Sequence, residues 1–151
     1  EYQGLNSRLD ELQAAFLDIK LKYIDAENQH RREIAQYYCY NIKHPDIILP
    51  SPSNSQSLNH SLSQSPNHVW HLFVIRHPNR DKFHKYLADN DIQTLIHYPI
   101  PPHKQIAYKD WNLLNFSITE RIHSDVISLP ISPLQSFDHT KLIVNVLNSY
   151  A

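Results

Sequence analysis

Between Leu9 and Ala26 the apolar side chains return at alternating steps of three and four, and no proline interrupts the chain before Pro45. Leu9, Leu12, Phe16, Ile19, Tyr23 and Ala26 therefore share one face of a helix, and Ser7 followed by Asp10 has the spacing of a capping box. A polar run, Asn28-Gln29-His30-Arg31-Arg32-Glu33, carries the pattern on to Ile34, Tyr37 and Tyr38. A single helix over residues 1–44 is expected, on the order of 50 Å long if unbroken. The alternative is two helices separated by a break that no glycine or proline marks. In a chain of 151 residues so long a helix is expected to run along an interface between domains or subunits.

The composition narrows the classes open to the chain. Its length fits one domain with a real core. Lys plus Arg number 14 and Asp plus Glu 15, so no net field draws it to nucleic acid or to an anionic membrane. The 11 histidines make its charge depend on pH around 6.5. Cys39 is the single cysteine; it can form no internal disulfide and has no neighbouring base, so a reducing, cytoplasmic setting is expected and a cysteine nucleophile is not. No apolar run approaches the ~18 residues that span a bilayer. There is no methionine, and the chain is expected to be a fragment or a processed product. Gly4 is the only glycine, which excludes a Gly-rich phosphate cradle and leaves turns to Pro, Asn, Asp and Ser.

After the helical region, Ile47-Ile48-Leu49 is a short strand candidate. Residues 51–67 are Ser, Asn, Gln, Pro and His with two leucines, a composition expected for a mobile surface loop. Val69 to Ile75 is apolar on both alternating sets apart from His71, which predicts a central strand covered on both faces, with His71 packed in the sheet. Asn79 is positioned to cap a helix carrying Phe83 and Leu87 on its inner face, and Ile92 to Ile96 is the next strand. Ser117-Ile118-Thr119-Glu120 spells a capping box ahead of a helix lined by Ile118, Ile122 and Val126. Ile127-Ser128-Leu129 is extended up to Pro130, and a last helix begins near Ser136 and presents Leu142, Ile143, Val146 and Leu147. One long helix followed by strands alternating with shorter helices makes a small α/β layer over residues 68–151.

The segment with most chemistry is Thr94-Leu95-Ile96-His97-Tyr98-Pro99-Ile100-Pro101-Pro102-His103. A strand ends in a histidine and a tyrosine, and the prolines that follow forbid both a helix and a continued ladder. His97, Tyr98 and His103 are thereby presented rigidly at a strand's end, where open α/β sheets place ligands; the alternative is a proline corner whose aromatics simply pack. His68 with His71, or His97 with His103, have spacings open to a metal but lack the thiolates that would make them specific, and no metal site is expected. None of the lysines sits in an apolar setting that would lower its pKa for Schiff-base chemistry.

Four blocks in order, Gly4 to Ala15, Trp70 to Arg76, Thr94 to His103 and Ser128-Leu129-Pro130, resemble the C-terminal part of sugar aminotransferases of the DegT/StrS type, which are pyridoxal-phosphate enzymes of the type I aminotransferase fold. The resemblance implies the small C-terminal domain of that fold, a long helix plus a small sheet flanked by helices, without the N-terminal cofactor domain and its Schiff-base lysine. It implies that Asn6 reaches the cofactor phosphate across a homodimer, with Arg8 as a possible aid, and that His97, Tyr98 and His103 border a nucleotide-linked sugar. The wording His-Tyr-Pro-Ile-Pro-Pro-His resembles members that aminate C3 of a dTDP-linked keto-6-deoxyhexose, with glutamate as amino donor. The rival expectations are a non-catalytic truncated module for dimerisation or sugar-nucleotide binding, and a regulatory relative that uses the fold without transamination.

Overall fold

The computed structural model describes residues 10–50 and 68–151. Asn6, Arg8, the Ser7 start signal and the expected loop over 51–67 lie outside the described residues.

The helical region is two helices, not one: α1 spans Glu11–Leu21 and α2 spans Ile24–Asn41. At the junction the Lys22 N–H turns to Ile19 O and the Tyr23 N–H to Lys20 O, at 3.4 and 3.0 Å. The ladder has tightened to three-residue spacing for one turn, and regular α bonding resumes with Glu27 N–H on Tyr23 O at 3.0 Å. The backbone at Lys22 and Tyr23 stays in the right-handed region, which is why no breaker residue announces the interruption. Asp10 caps α1, its carboxylate accepting from the Gln13 N–H at 2.7 Å. The predicted apolar face exists but is not covered by this chain: Leu12, Ile19 and Tyr23 are exposed and Phe16 is 58% exposed.

In α2 the face does turn inward, burying Ile34, Ala35 and Tyr38. This stripe meets α5 (Phe137–Asn148), whose Ile143, Val144 and Leu147 are buried. Ser136 caps α5 by accepting from the His139 N–H at 3.2 Å, as expected, although Leu142 points outward.

The sheet is small. β1 (Phe73–Arg76) pairs antiparallel with β2 (Val126–Leu129), Phe73 opposite Leu129 and Arg76 opposite Val126. Single antiparallel bridges extend it on both sides, Ile48 to Arg76 and Leu95 to Ser128. The expected strands at 47–49 and 92–96 are thus reduced to one bridge each, and the expected central strand begins at Phe73 instead of Val69. Trp70 explains the late start. Its φ of 50° turns the chain so that the indole is buried against Phe73 at 5.2 Å, and His71, expected in the sheet, is exposed. All of β2 is buried, whereas β1 alternates.

α3 (Arg80–Asp89) buries Phe83 and Leu87 as predicted. Asp91, at φ 60°, takes the left-handed position after the helix that glycine would otherwise fill. α4 (Ser117–Asp125) departs from its predicted cap: Phe116 is the capping position and Ser117 the first helical residue. Ile118 and Ile122 stay at the surface, and Val126 already belongs to β2.

Tyr38 ties the layers together. Its hydroxyl donates to Pro130 O at 2.8 Å and accepts from Gln135 Nε2 at 3.0 Å, while Gln135 Nε2 also reaches Thr140 Oγ1 at 2.9 Å. Burial pushes the Tyr38 phenol well above its ordinary value, so it remains a donor at any working pH. Tyr38→Phe leaves a partly buried carbonyl without its partner and is expected to cost about 1 kcal/mol, read as a lower urea midpoint with unchanged slope.

Candidate functional site

β2 carries the first group of the candidate site. Ser128 exchanges both backbone bonds with Leu95, at 2.7 and 3.3 Å, so its hydroxyl stands on a fixed frame. That hydroxyl lies 2.9 Å from His97 Nδ1. When Nδ1 accepts from Ser128, Nε2 carries the ring's hydrogen and is the nitrogen available to a ligand. His97 is half-buried and, with His71, Gln93, Leu95, Ser128 and Pro130, lines a cleft of about 180 Å³.

Tyr98 sits beyond it. The His97–Tyr98 peptide bond is cis, and the two rings meet edge-on at 5.3 Å. Tyr98 is 66% exposed and lines a neighbouring groove of about 330 Å³ with Pro99, Lys104 and Ile106. Its carbonyl accepts from His123 Nδ1 at 2.6 Å, which ties this corner to α4.

His103 is placed differently from the other two. It lies in the short 3₁₀ turn Pro102–Lys104 that the fixed φ of proline starts, and only 4% of it is exposed. Its Nε2 donates to Glu120 Oε1 at 2.8 Å, and Phe116 meets its ring edge-on at 4.9 Å. Asn112 Nδ2 donates to its carbonyl at 2.8 Å. Lys104 is likewise engaged, its ammonium donating to Asn112 O and Leu114 O at 2.9 Å each. The structure therefore brings His97 and Tyr98 together at adjoining clefts and fixes His103 beneath the loop as a brace.

Glu120, Ser128 and His123 did not emerge from the sequence as parts of this site. Glu120 carried a signal, the capping-box spacing, and part of that role survives: its Oε1 accepts from the Phe116 N–H at 3.2 Å. Ser128 stood in one of the four resemblance blocks but without a role, and His123 carried no signal, since their partners lie 31 and 25 residues away.

Other candidate chemistry falls away on geometry. Burial pushes the Cys39 thiol up to about 11, far from a thiolate at neutral pH. No lysine is buried. Of the lysines, Lys85 pairs with Asp89, Lys141 with Asp138, and Lys104 with backbone carbonyls.

Residues 1–148 match the model of the DegT/DnrJ/EryC1/StrS aminotransferase family. The chain belongs to this family. A family relative from Aneurinibacillus thermoaerophilus, dTDP-3-amino-3,6-dideoxy-alpha-D-galactopyranose transaminase, is 53% identical over 149 residues, covering 99% of this chain and 38% of the relative. A 40% identical relative from Saccharopolyspora erythraea, spanning all of this chain and 39% of its own length, is named erythromycin biosynthesis sensory transduction protein EryC1. Among solved structures, S. venezuelae DesV superposes with a TM-score of 0.78 at 34% identity, over 98% of this chain and 38% of DesV. The fold is thus the C-terminal part of the aminotransferase architecture, and the chain spans about two fifths of the length of the relatives it matches.

The Glu120 carboxylate is held below its ordinary value of 4.5, first by the His103 ring and then by the Phe116 N–H. A depressed folded pKa stabilises the fold above the unfolded value, and that contribution is lost as pH falls through the folded one. Glu120→Gln is expected to lower the urea midpoint at pH 7, and the gap to the parent should close below about pH 4.5. Urea titrations at pH 7 and pH 3.5 check both halves.

Proposed function

We propose that this chain is the C-terminal part of a transaminase that aminates a nucleotide-linked keto sugar. The single observation that carries the reading is the 53% identity over 149 residues to an enzyme named as a transaminase for a dTDP-linked 3-amino-3,6-dideoxy sugar. A dTDP-linked 3-keto-6-deoxyhexose is accordingly the expected acceptor and glutamate the donor, acting in a homodimer in the cytoplasm. Pyridoxal phosphate, bound in the complete enzyme, supplies the electron sink for the amino transfer; a structural neighbour from Bacillus subtilis is described with bound PMP, at a TM-score of 0.74. From this chain the cofactor contact is assigned to Asn6, by the family resemblance alone.

Sugar binding is assigned in this reading to His97 and Tyr98. The Nε2–H of His97 is a donor for a sugar hydroxyl or a diphosphate oxygen, oriented by Ser128 from behind. Tyr98, exposed beside it, offers a phenol and a flat ring. His103 and Glu120 hold the proline-stiffened loop so that neither group has to be ordered when the ligand arrives, which removes part of the entropy cost of binding.

The test uses the complete enzyme with a dTDP-3-keto-6-deoxyhexose, following formation of 2-oxoglutarate from glutamate. His97→Ala is expected to raise KM for the nucleotide sugar about tenfold, the equivalent of one charge-assisted hydrogen bond of roughly 1.4 kcal/mol. Asn6→Ala is expected to release the cofactor more readily on dialysis while leaving sugar binding intact. A second reading, a regulatory protein on the same fold, is favoured by the relative named for sensory transduction; a complete protein that binds the sugar nucleotide without producing 2-oxoglutarate would establish it.

A further inference from the structure

Away from the His97 cleft, three metal-ligating side chains converge where the loop leaving α2 meets the end of β1. A ring nitrogen of His44, a ring nitrogen of His77 and a carboxylate oxygen of Asp46 all lie within 4.8 Å of one another. The two segments that carry them are held in register by the bridge between Ile48 and Arg76, with backbone bonds of 2.9 and 3.0 Å, and His77 is anchored by its own N–H on Asp125 O at 3.0 Å.

The ring environments add a second, independent observation. His77 is 1% exposed; its Nδ1 accepts from the Asn79 N–H at 3.1 Å, and its Nε2 is buried without a hydrogen-bond partner among the described residues. A buried polar nitrogen left unsatisfied is costly and calls for a ligand. His44 Nε2 donates to Tyr150 O at 3.1 Å, so its Nδ1 holds the lone pair, which accepts from the Asp46 N–H at 3.2 Å. An imidazole whose far N–H is fixed by a carbonyl is the arrangement that orients metal-binding histidines. Asp46 is exposed and opens the cluster to solvent.

We propose that His44, Asp46 and His77 form a binding site for a divalent transition metal of the zinc class. Two imidazoles and one carboxylate supply three of four tetrahedral positions and leave the fourth to water, and nitrogen donors favour zinc, cobalt or nickel over calcium or magnesium. When the metal takes Nε2 of His77, the ring proton moves to Nδ1 and the Asn79 amide gives up its bond there; no electron transfer is involved. The ion pins the α2 exit loop to the end of β1.

The test is titration of the chelator-treated chain with Co²⁺ in the visible range, followed by displacement with Zn²⁺. The expected result is one Co²⁺ per chain with the intense bands of a four-coordinate site, and at least tenfold weaker binding in His44→Gln, Asp46→Asn and His77→Gln, while His139→Gln binds as the parent does. Should the buried His77→Gln variant fail to fold by circular dichroism, the two surface-side variants decide. Absence of four-coordinate bands, or uptake unchanged in His44→Gln and Asp46→Asn, overturns the proposal.

Discussion

Burial of β2 on every side is the constraint from which the rest of this structure follows. Val126 to Leu129 pair with β1 along one edge, and Ser128 bridges to Leu95 along the other. Ile127 and Leu129 join the aromatic and aliphatic core made by Phe73, Ile75, Tyr38 and Leu147. Four consecutive buried residues contribute apolar area at about 25 cal/mol per Å², but only if each polar group among them is paired. Ser128 is the one polar side chain in the strand, and His97 pairs it. The same requirement that makes the core stable therefore places a histidine at its rim.

Much of this was legible in the residues. In α2, α3 and α5 periodicity and burial coincide at Ile34, Phe83, Leu87, Ile143 and Leu147, because these faces pack within the chain, whereas Leu142 of the predicted α5 stripe is exposed. The family was legible as well, since the four blocks that carry the resemblance span the chain from end to end. The strands were overextended for a physical reason: Trp70 satisfies the alternating pattern yet leaves the strand to bury its large ring against Phe73, and apolar alternation cannot distinguish a ladder residue from an anchor. The helix break at Lys22 and Tyr23 carried no sequence mark because the change from four-residue to three-residue bonding keeps the backbone in the right-handed region, which needs neither glycine nor proline.

The geometry of the candidate site was half legible. His97 and Tyr98 were singled out from a local cue, the prolines that stiffen the chain behind them, and both line clefts. The groups that fix them were not, because Ser128 and His123 lie far along the chain and become neighbours only when β2 forms. His103 shows the converse. Its place in the motif made it look equivalent to His97, but the turn that starts at Pro102 carries it inward to Glu120.

The wealth of histidine in this chain is best understood through the second ring nitrogen. His30, His44, His84 and His123 each place one nitrogen against a backbone carbonyl, of Gln135, Tyr150, Thr94 and Tyr98 respectively. A carbonyl only accepts, so each of these rings must donate there, and a protonated ring makes the same bond as a neutral one. Such histidines act as long-range staples whatever their charge. His97 differs because its fixed partner is a hydroxyl, which accepts or donates as the ring requires. A ligand at the cleft is therefore able to choose the tautomer of this ring, and that freedom, rather than histidine content, is the physical ground on which sugar binding is proposed for it.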